Sequence, residues 1–137
     1  MNKLTLFPLV FAALLLAGCS WADKGSIKII SITPEPVTIL HVGQKVDMEV
    51  VVEYTLKSEK GKTTLVVQSK DGKSAAPEVT VETQTTLLKG SGKVTLRRSF
   101  VVPETSELHV YVPLYAGASA TKTGILDARL YNIAPKK

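Results

Sequence analysis

The sequence predicts an all-β fold, a single antiparallel sandwich of about seven strands, on three observations. Val46, Met48, Val50, Val52, Tyr54 and Leu56 alternate with Asp47, Glu49, Val51, Glu53, Thr55 and Lys57, a period of two that sets one row on a core and the other in water. Further short segments rich in Val, Thr and Ile recur along the chain, separated by clusters of Gly, Pro, Ser and Asp. The 137 residues suit one domain of this kind, because two would each bury too little apolar surface.

The first strand falls on Ser26–Thr33 and resumes on Val37–Val42 after Pro34-Glu35-Pro36, a break that lets one strand change sheets. The others fall on 46–57, Thr63–Ser69, Val79–Thr86, Val94–Val102, Leu108–Leu114 and Ile125–Ile133. Turns are expected at Ser58–Gly61, Asp71-Gly72, Gly90-Ser91-Gly92, Pro103–Ser106 and Gly117–Gly124. Arg98 is in phase with the inward Val94, Leu96 and Phe100, a conflict that a bulge or a rim position would resolve.

Ahead of the strands lies a different kind of segment. Met1–Lys3 is short and basic, Leu4–Leu16 almost wholly apolar, and Ala17-Gly18 small, the layout of a secretory signal peptide. As a helix Leu4–Leu16 would rise only about 20 Å, short of the roughly 30 Å of bilayer hydrocarbon, and Pro8 interrupts it. A permanent transmembrane helix is not expected there.

Leu16-Ala17-Gly18-Cys19 resembles the bacterial lipobox at all four positions and at the right distance from the start. The resemblance implies that residues 1–18 are removed and that Cys19 becomes the first mature residue, carrying a diacylglycerol on sulfur and a further acyl chain on its amine. Several chains are physically required, because one myristoyl-sized chain anchors only marginally while each buried methylene adds about 0.8 kcal/mol. Cys19 is the only cysteine, which excludes an internal disulfide, and a lone thiol has little other purpose in an exported chain. In lipoproteins of the enterobacterial kind, a residue other than aspartate after that cysteine permits transfer to the outer membrane. In a Gram-negative host Ser20 therefore implies an outer-membrane protein facing the periplasm, whereas in a Gram-positive host the same signal places the domain on the outer side of the cytoplasmic membrane; 19–25 is then an acylated tether and 26–137 the folded domain.

Removing residues 1–18 from the 137 leaves 119, and of the 17 basic residues only Lys3 is lost, so 16 face 12 acids and the mature net charge is +4. That excess is too small and too dispersed for a nucleic-acid partner. The stretch 29–52, IISITPEPVTILHVGQKVDMEVVV, resembles the opening of bacterial extracellular Ig-like modules of the fibronectin-III and adhesion-related kind. The resemblance covers about a fifth of the mature chain and implies an Ig-like sandwich that binds, spaces or scaffolds, without a shared active site.

Enzyme chemistry finds little support. GSGKVT at 90–95 lacks the Gly at 87 and the Ser or Thr at 94 that a phosphate loop needs, and a glycine turn is the expected reading. His41 and His109 are far apart, neither has a neighbour at metal-ligand spacing, and no nucleophile setting of the G-x-S-x-G kind occurs. No metal or cofactor beyond the acyl chains is expected, and the protein reads as a non-catalytic binding or assembly module. A small envelope hydrolase, or an accessory inhibitor or chaperone-like protein that covers a partner's strand edge, is the alternative.

Two candidate surfaces follow from the strand pattern. With Leu108, Val110 and Val112 inward, and Leu126, Ala128 and Leu130 inward beside them, His109, Tyr111, Tyr115, Arg129 and Tyr131 form an outward aromatic and cationic stripe suited to an envelope protein or a glycan. The same residues would equally serve as cross-strand pairs on a wet sheet face. If the strands run alternately up and down, the turns carrying Lys57, Lys60 and Lys62, then Lys89 and Lys93, then Lys122, share the pole where the first strand begins. Ser20–Gly25 reach at most about 25 Å, so that pole stays near the membrane and its lysines face anionic headgroups, with Trp21 as a possible interfacial anchor.

Overall fold

The computed structural model describes residues 25–75, 84–116 and 125–137. Cys19, Trp21, Lys122, residues 79–83 of the expected strand Val79–Thr86 and the expected turn at 117–124 lie outside the described residues. Seven strands form among the described residues: β1 (Gly25–Thr33), β2 (Leu40–His41), β3 (Lys45–Thr64), β4 (Val66–Ser69), β5 (Gln84–Val101), β6 (Glu107–Ala116) and β7 (Ile125–Ala134). No helix occurs among the described residues. The protein is an all-β sandwich.

One layer is β1, the first part of β3 and the second part of β5. β1 runs antiparallel to β3 from Gly25↔Leu56 to Thr33↔Glu49, with a bulge between Ile29 and Ser31, and β5 flanks the other side of β3 from Lys45↔Val101 to Leu56↔Gly90. The other layer places β6 beside the far part of β3 and its continuation β4, then β7 beside β6 and β2 beside β7. The proline break at 34–36 does let the chain change layers: β1 pairs with β3, while β2 runs parallel to the end of β7.

The expected turns at Ser58–Gly61 and Gly90-Ser91-Gly92 are corrected. β3 and β5 remain paired through both segments, with the register interrupted only between Leu56 and Lys60, and resume from Lys60↔Leu88 to Thr64↔Gln84. Polar and glycine-rich residues serve here to bend a two-stranded ribbon, because a bulge also needs small residues and tolerates unpaired ones. Gly61 shows the crowding: a β-carbon there would stand 2.7 Å from the Tyr115 carbonyl oxygen and 2.9 Å from a Leu56 methyl. Lys57, Lys60, Lys62, Lys89 and Lys93 therefore lie in strands, not on loop tips. The turns at Asp71-Gly72 and Pro103–Ser106 are present between strands, the first with Gly72 at a φ of 86°.

The alternation read from the sequence holds in β3 and β6. Val46, Met48, Val50, Val52 and Leu56 are buried with Leu108, Val110, Val112 and Leu114, and twenty such side chains form one core within the described residues. At ~25 cal/mol per Å² of apolar surface, this burial is the main force holding the layers together. Arg98 stays in phase and is buried to 8% exposure, with no bulge beside it, so neither proposed resolution applies. It reaches instead across the core: its Nη1 donates to the carbonyl of Leu65, 2.8 Å away, at the one-residue gap between β3 and β4. Burial pulls its pKa below the ordinary guanidinium value.

Candidate binding face

The outer face of the layer built on β4, β6 and β7 is set by register. Gln68, His109 and Leu130 lie abreast on three strands, then Val66, Tyr111 and Ala128, with Pro113 beside Leu126 and Lys62 beside Tyr115. His109, Tyr111 and Tyr115 share this face as expected, because Leu108, Val110, Val112 and Leu114 between them are buried.

The phase of β7 is the reverse of that expected. Tyr131 is 0% exposed and Arg129 and Asp127 are partly covered, whereas Leu126 and Leu130 are 52% and 48% exposed. The physical reason lies in partners about a hundred residues away. The Tyr131 hydroxyl donates to the Pro34 carbonyl at 2.5 Å, and burial, only partly offset by the nearby Arg129 charge, pushes its pKa far up. Asp127 Oδ2 accepts from the Ile29 amide at 2.8 Å, and Arg129 Nη2 donates to the Ile29 carbonyl at 3.3 Å. Arg129 and Tyr131 thus leave the proposed stripe, and Leu126 and Leu130 join it.

Asp127 and Arg129 also hold their own strand. Asp127 Oδ1 accepts from the Ala128 amide at 2.9 Å, Arg129 Nη1 donates to the Ala128 carbonyl at 2.7 Å, and the two side chains pair at 2.9 Å. The backbone polar groups of Ala128, on the side of β7 away from β6, are joined through this clamp to those of Ile29 in the β1 bulge. Burial raises the Asp127 pKa, but the two amides and Arg129 together outweigh it and hold the carboxyl below its ordinary value.

On β6, Glu107 Oε2 lies 3.2 Å from His109 Nε2, and His109 Nδ1 lies 3.1 Å from the Tyr111 hydroxyl. An ionised Glu107 only accepts, so Nε2 carries the proton toward it and a neutral ring leaves Nδ1 to accept from Tyr111. The two rings meet edge to face with centroids 6.2 Å apart, which fixes Tyr111 on the face. This hydrogen-bonded row of Glu107, His109 and Tyr111 holds the three side chains in place along β6.

Elsewhere, an open depression of about 510 Å³ is lined by Ile39, His41, Val42, Gly43, Gln44, Lys136 and Lys137, without an acid beside His41. No group of three or more metal-ligating side chains occurs among the described residues. The segment Gly90–Thr95 is extended strand, so it forms neither a phosphate loop nor the expected turn. Reading the sequence missed the Asp127–Arg129 clamp and the exposed Leu126 and Leu130. The charged pair two residues apart was the available signal, but nothing local announced Ile29 as its partner.

No protein-family model matches the sequence, and no curated protein does. Among solved structures, the chain is similar to the periplasmic chaperone SfaE at 15% identity and a TM-score of 0.41, over 81% of this chain and 57% of that one. It is also similar to a structural-genomics target, SoR45, at 12% identity and a TM-score of 0.36, over 80% of this chain and 83% of that one. The chain thus spans less than two thirds of the length of the chaperone it matches.

Proposed function

We propose that the protein is a lipoprotein of the bacterial outer membrane, acylated at Cys19 after removal of residues 1–18, whose sandwich is a non-catalytic binding or assembly module facing the periplasm. Leu16-Ala17-Gly18-Cys19 supports the anchor. One observation carries the binding role: the outer face of β6 and β7 presents Tyr111, Tyr115, Leu126 and Leu130, while the charged Asp127 and Arg129 of the same strand turn toward β1. Leaving leucines half exposed gives up burial energy within the domain, and flat aromatics beside them suit a protein partner.

Photo-crosslinking residues placed at Tyr111, Leu126 and Leu130 in the envelope should yield one discrete protein adduct. The same residue at Thr95, exposed on the other layer, should yield none. Tyr111→Ala with Leu130→Ser should remove capture at Leu126 while leaving the thermal midpoint within a few degrees. Equal adducts from both layers would refute a dedicated face.

A chaperone-like reading, in which β7 covers a partner's strand edge, has one observation in its favour. Among the described residues, no strand pairs along Ile125–Tyr131 on the side of β7 away from β6. The clamp weighs against it, since Asp127 and Arg129 already hold the Ala128 amide and carbonyl that an added strand would use.

A further inference from the structure

We infer that the outer face of the β3/β5 bend is a docking surface for anionic phospholipid headgroups, holding the sandwich against the membrane in one orientation; this rests on the acylated-Cys19 reading. The geometry begins where the chain enters the fold. Gly25, the first residue of β1, lies across from Leu56, and Leu56 lies across from Gly90, so the start of β1 sits at the bend of the ribbon. That position is closely fitted: Gly25 has a φ of 127°, and a β-carbon there would overlap the Thr55 carbonyl oxygen.

The bend is basic. Lys57, Lys60, Lys62, Lys89 and Lys93 are all exposed on these two strands, and Lys28 of β1 lies abreast of Glu53 and Lys93. Two acids are interspersed: Glu59, 3.6 Å from Lys89, and Glu53. Leu88 stands directly opposite Lys60 and is 64% exposed, an apolar side chain among cations. Lysines around an exposed leucine match a headgroup layer, where the ammonium groups meet phosphate and the leucine enters the acyl boundary. The lysines gather because the ribbon bends beside β1, not because loops converge there.

A second basic end exists and the tether rules on it. Lys45 begins β3 at its other end, where Lys136 and Lys137 line a depression with the exposed Ile39. From Leu56 to Lys45 the strand runs roughly 36 Å at the rise of a strand. Ser20–Gly25 span at most about 25 Å. A domain standing on its far end would hold Gly25 beyond the reach of an anchored Cys19. The bend is the end that can rest on the bilayer.

The test uses the chain from Ser20 to Lys137, which contains every strand and core residue described above. It is mixed with vesicles of phosphatidylcholine containing phosphatidylglycerol, and binding is read by co-sedimentation at about 20 mM and about 500 mM salt, on either side of strong screening. The chain should bind at low salt and release at high salt. Replacing Lys57, Lys60, Lys62, Lys89 and Lys93 together by Gln should weaken low-salt binding at least about tenfold, with unchanged thermal unfolding. Replacing Lys45, Lys136 and Lys137 by Gln should weaken it less than about twofold. No binding at low salt, equal binding by the five-lysine variant, or a larger loss from the far-end variant would overturn the proposal. Because Cys19 is absent from this chain, the result stands apart from the acylation assay, and either reading can fail alone.

Discussion

At the residue scale, the fold is closed by a few polar side chains that reach between layers. Asp127 accepts from Ile29 and Ala128 and pairs with Arg129, so Asp127→Asn should lower stability at pH 7 by about 1–3 kcal/mol in urea unfolding. The folded Asp127 carboxyl is held below its ordinary value, so its contribution is full above the unfolded value of about 4 and disappears as pH falls through the folded one. The gap between wild type and Asp127→Asn should therefore close in strong acid, and a gap that persists there would show that the carboxylate charge is not the cause. Arg98→Met fills the same space but leaves the buried Leu65 carbonyl without this donor, and the expected loss is again about 1–3 kcal/mol by thermal or urea unfolding. Both roles were hidden in the sequence. Arg98 stood out as a misfit, but its acceptor is a carbonyl 33 residues away at a gap that no local pattern marks.

At the element scale, β1, β3, β6 and the shift of the chain between layers at Pro34–Pro36 were legible because each is written in local alternation or in a proline break. The continuation of β3 and β5 through the expected turns was not legible, since Ser58–Gly61 and Gly90–Gly92 have the composition of turns as well as of a bend. The phase of β7 failed for a different reason. Leu126, Ala128 and Leu130 look like an inward row, but the inward positions go to residues with partners in β1 and at Pro34. Tyr131→Phe should accordingly cost about 0.5–1.5 kcal/mol, because it loses the bond to Pro34 and keeps the packing. The bend predicts its own sensitivity: Gly25→Ala should destabilise by more than about 1 kcal/mol by thermal unfolding, as φ there is positive and the space is filled. Gly90→Ala meets no atom within 4 Å and bears only the strain of its φ of 123°, so it should lose less than Gly25→Ala.

At the scale of the whole molecule, the sandwich offers two different outer surfaces. One carries Tyr111, Leu126 and Leu130; the other, where β1 begins, carries the lysines of the bend, and the two meet where Lys62 lies abreast of Tyr115. Membrane at one place and partner at another is the arrangement expected of a tethered binding module, and it depends on Cys19 being the point of attachment. The most direct measurement is the mass of the N-terminal peptide from protein extracted from bacterial membranes. The account predicts that the peptide begins at Cys19 and carries a diacylglycerol with a further acyl chain, and that Cys19→Ala leaves residues 1–18 attached and the acyl mass absent. A peptide with residues 1–18 still attached, or one beginning at or near Cys19 with a free thiol, would contradict it.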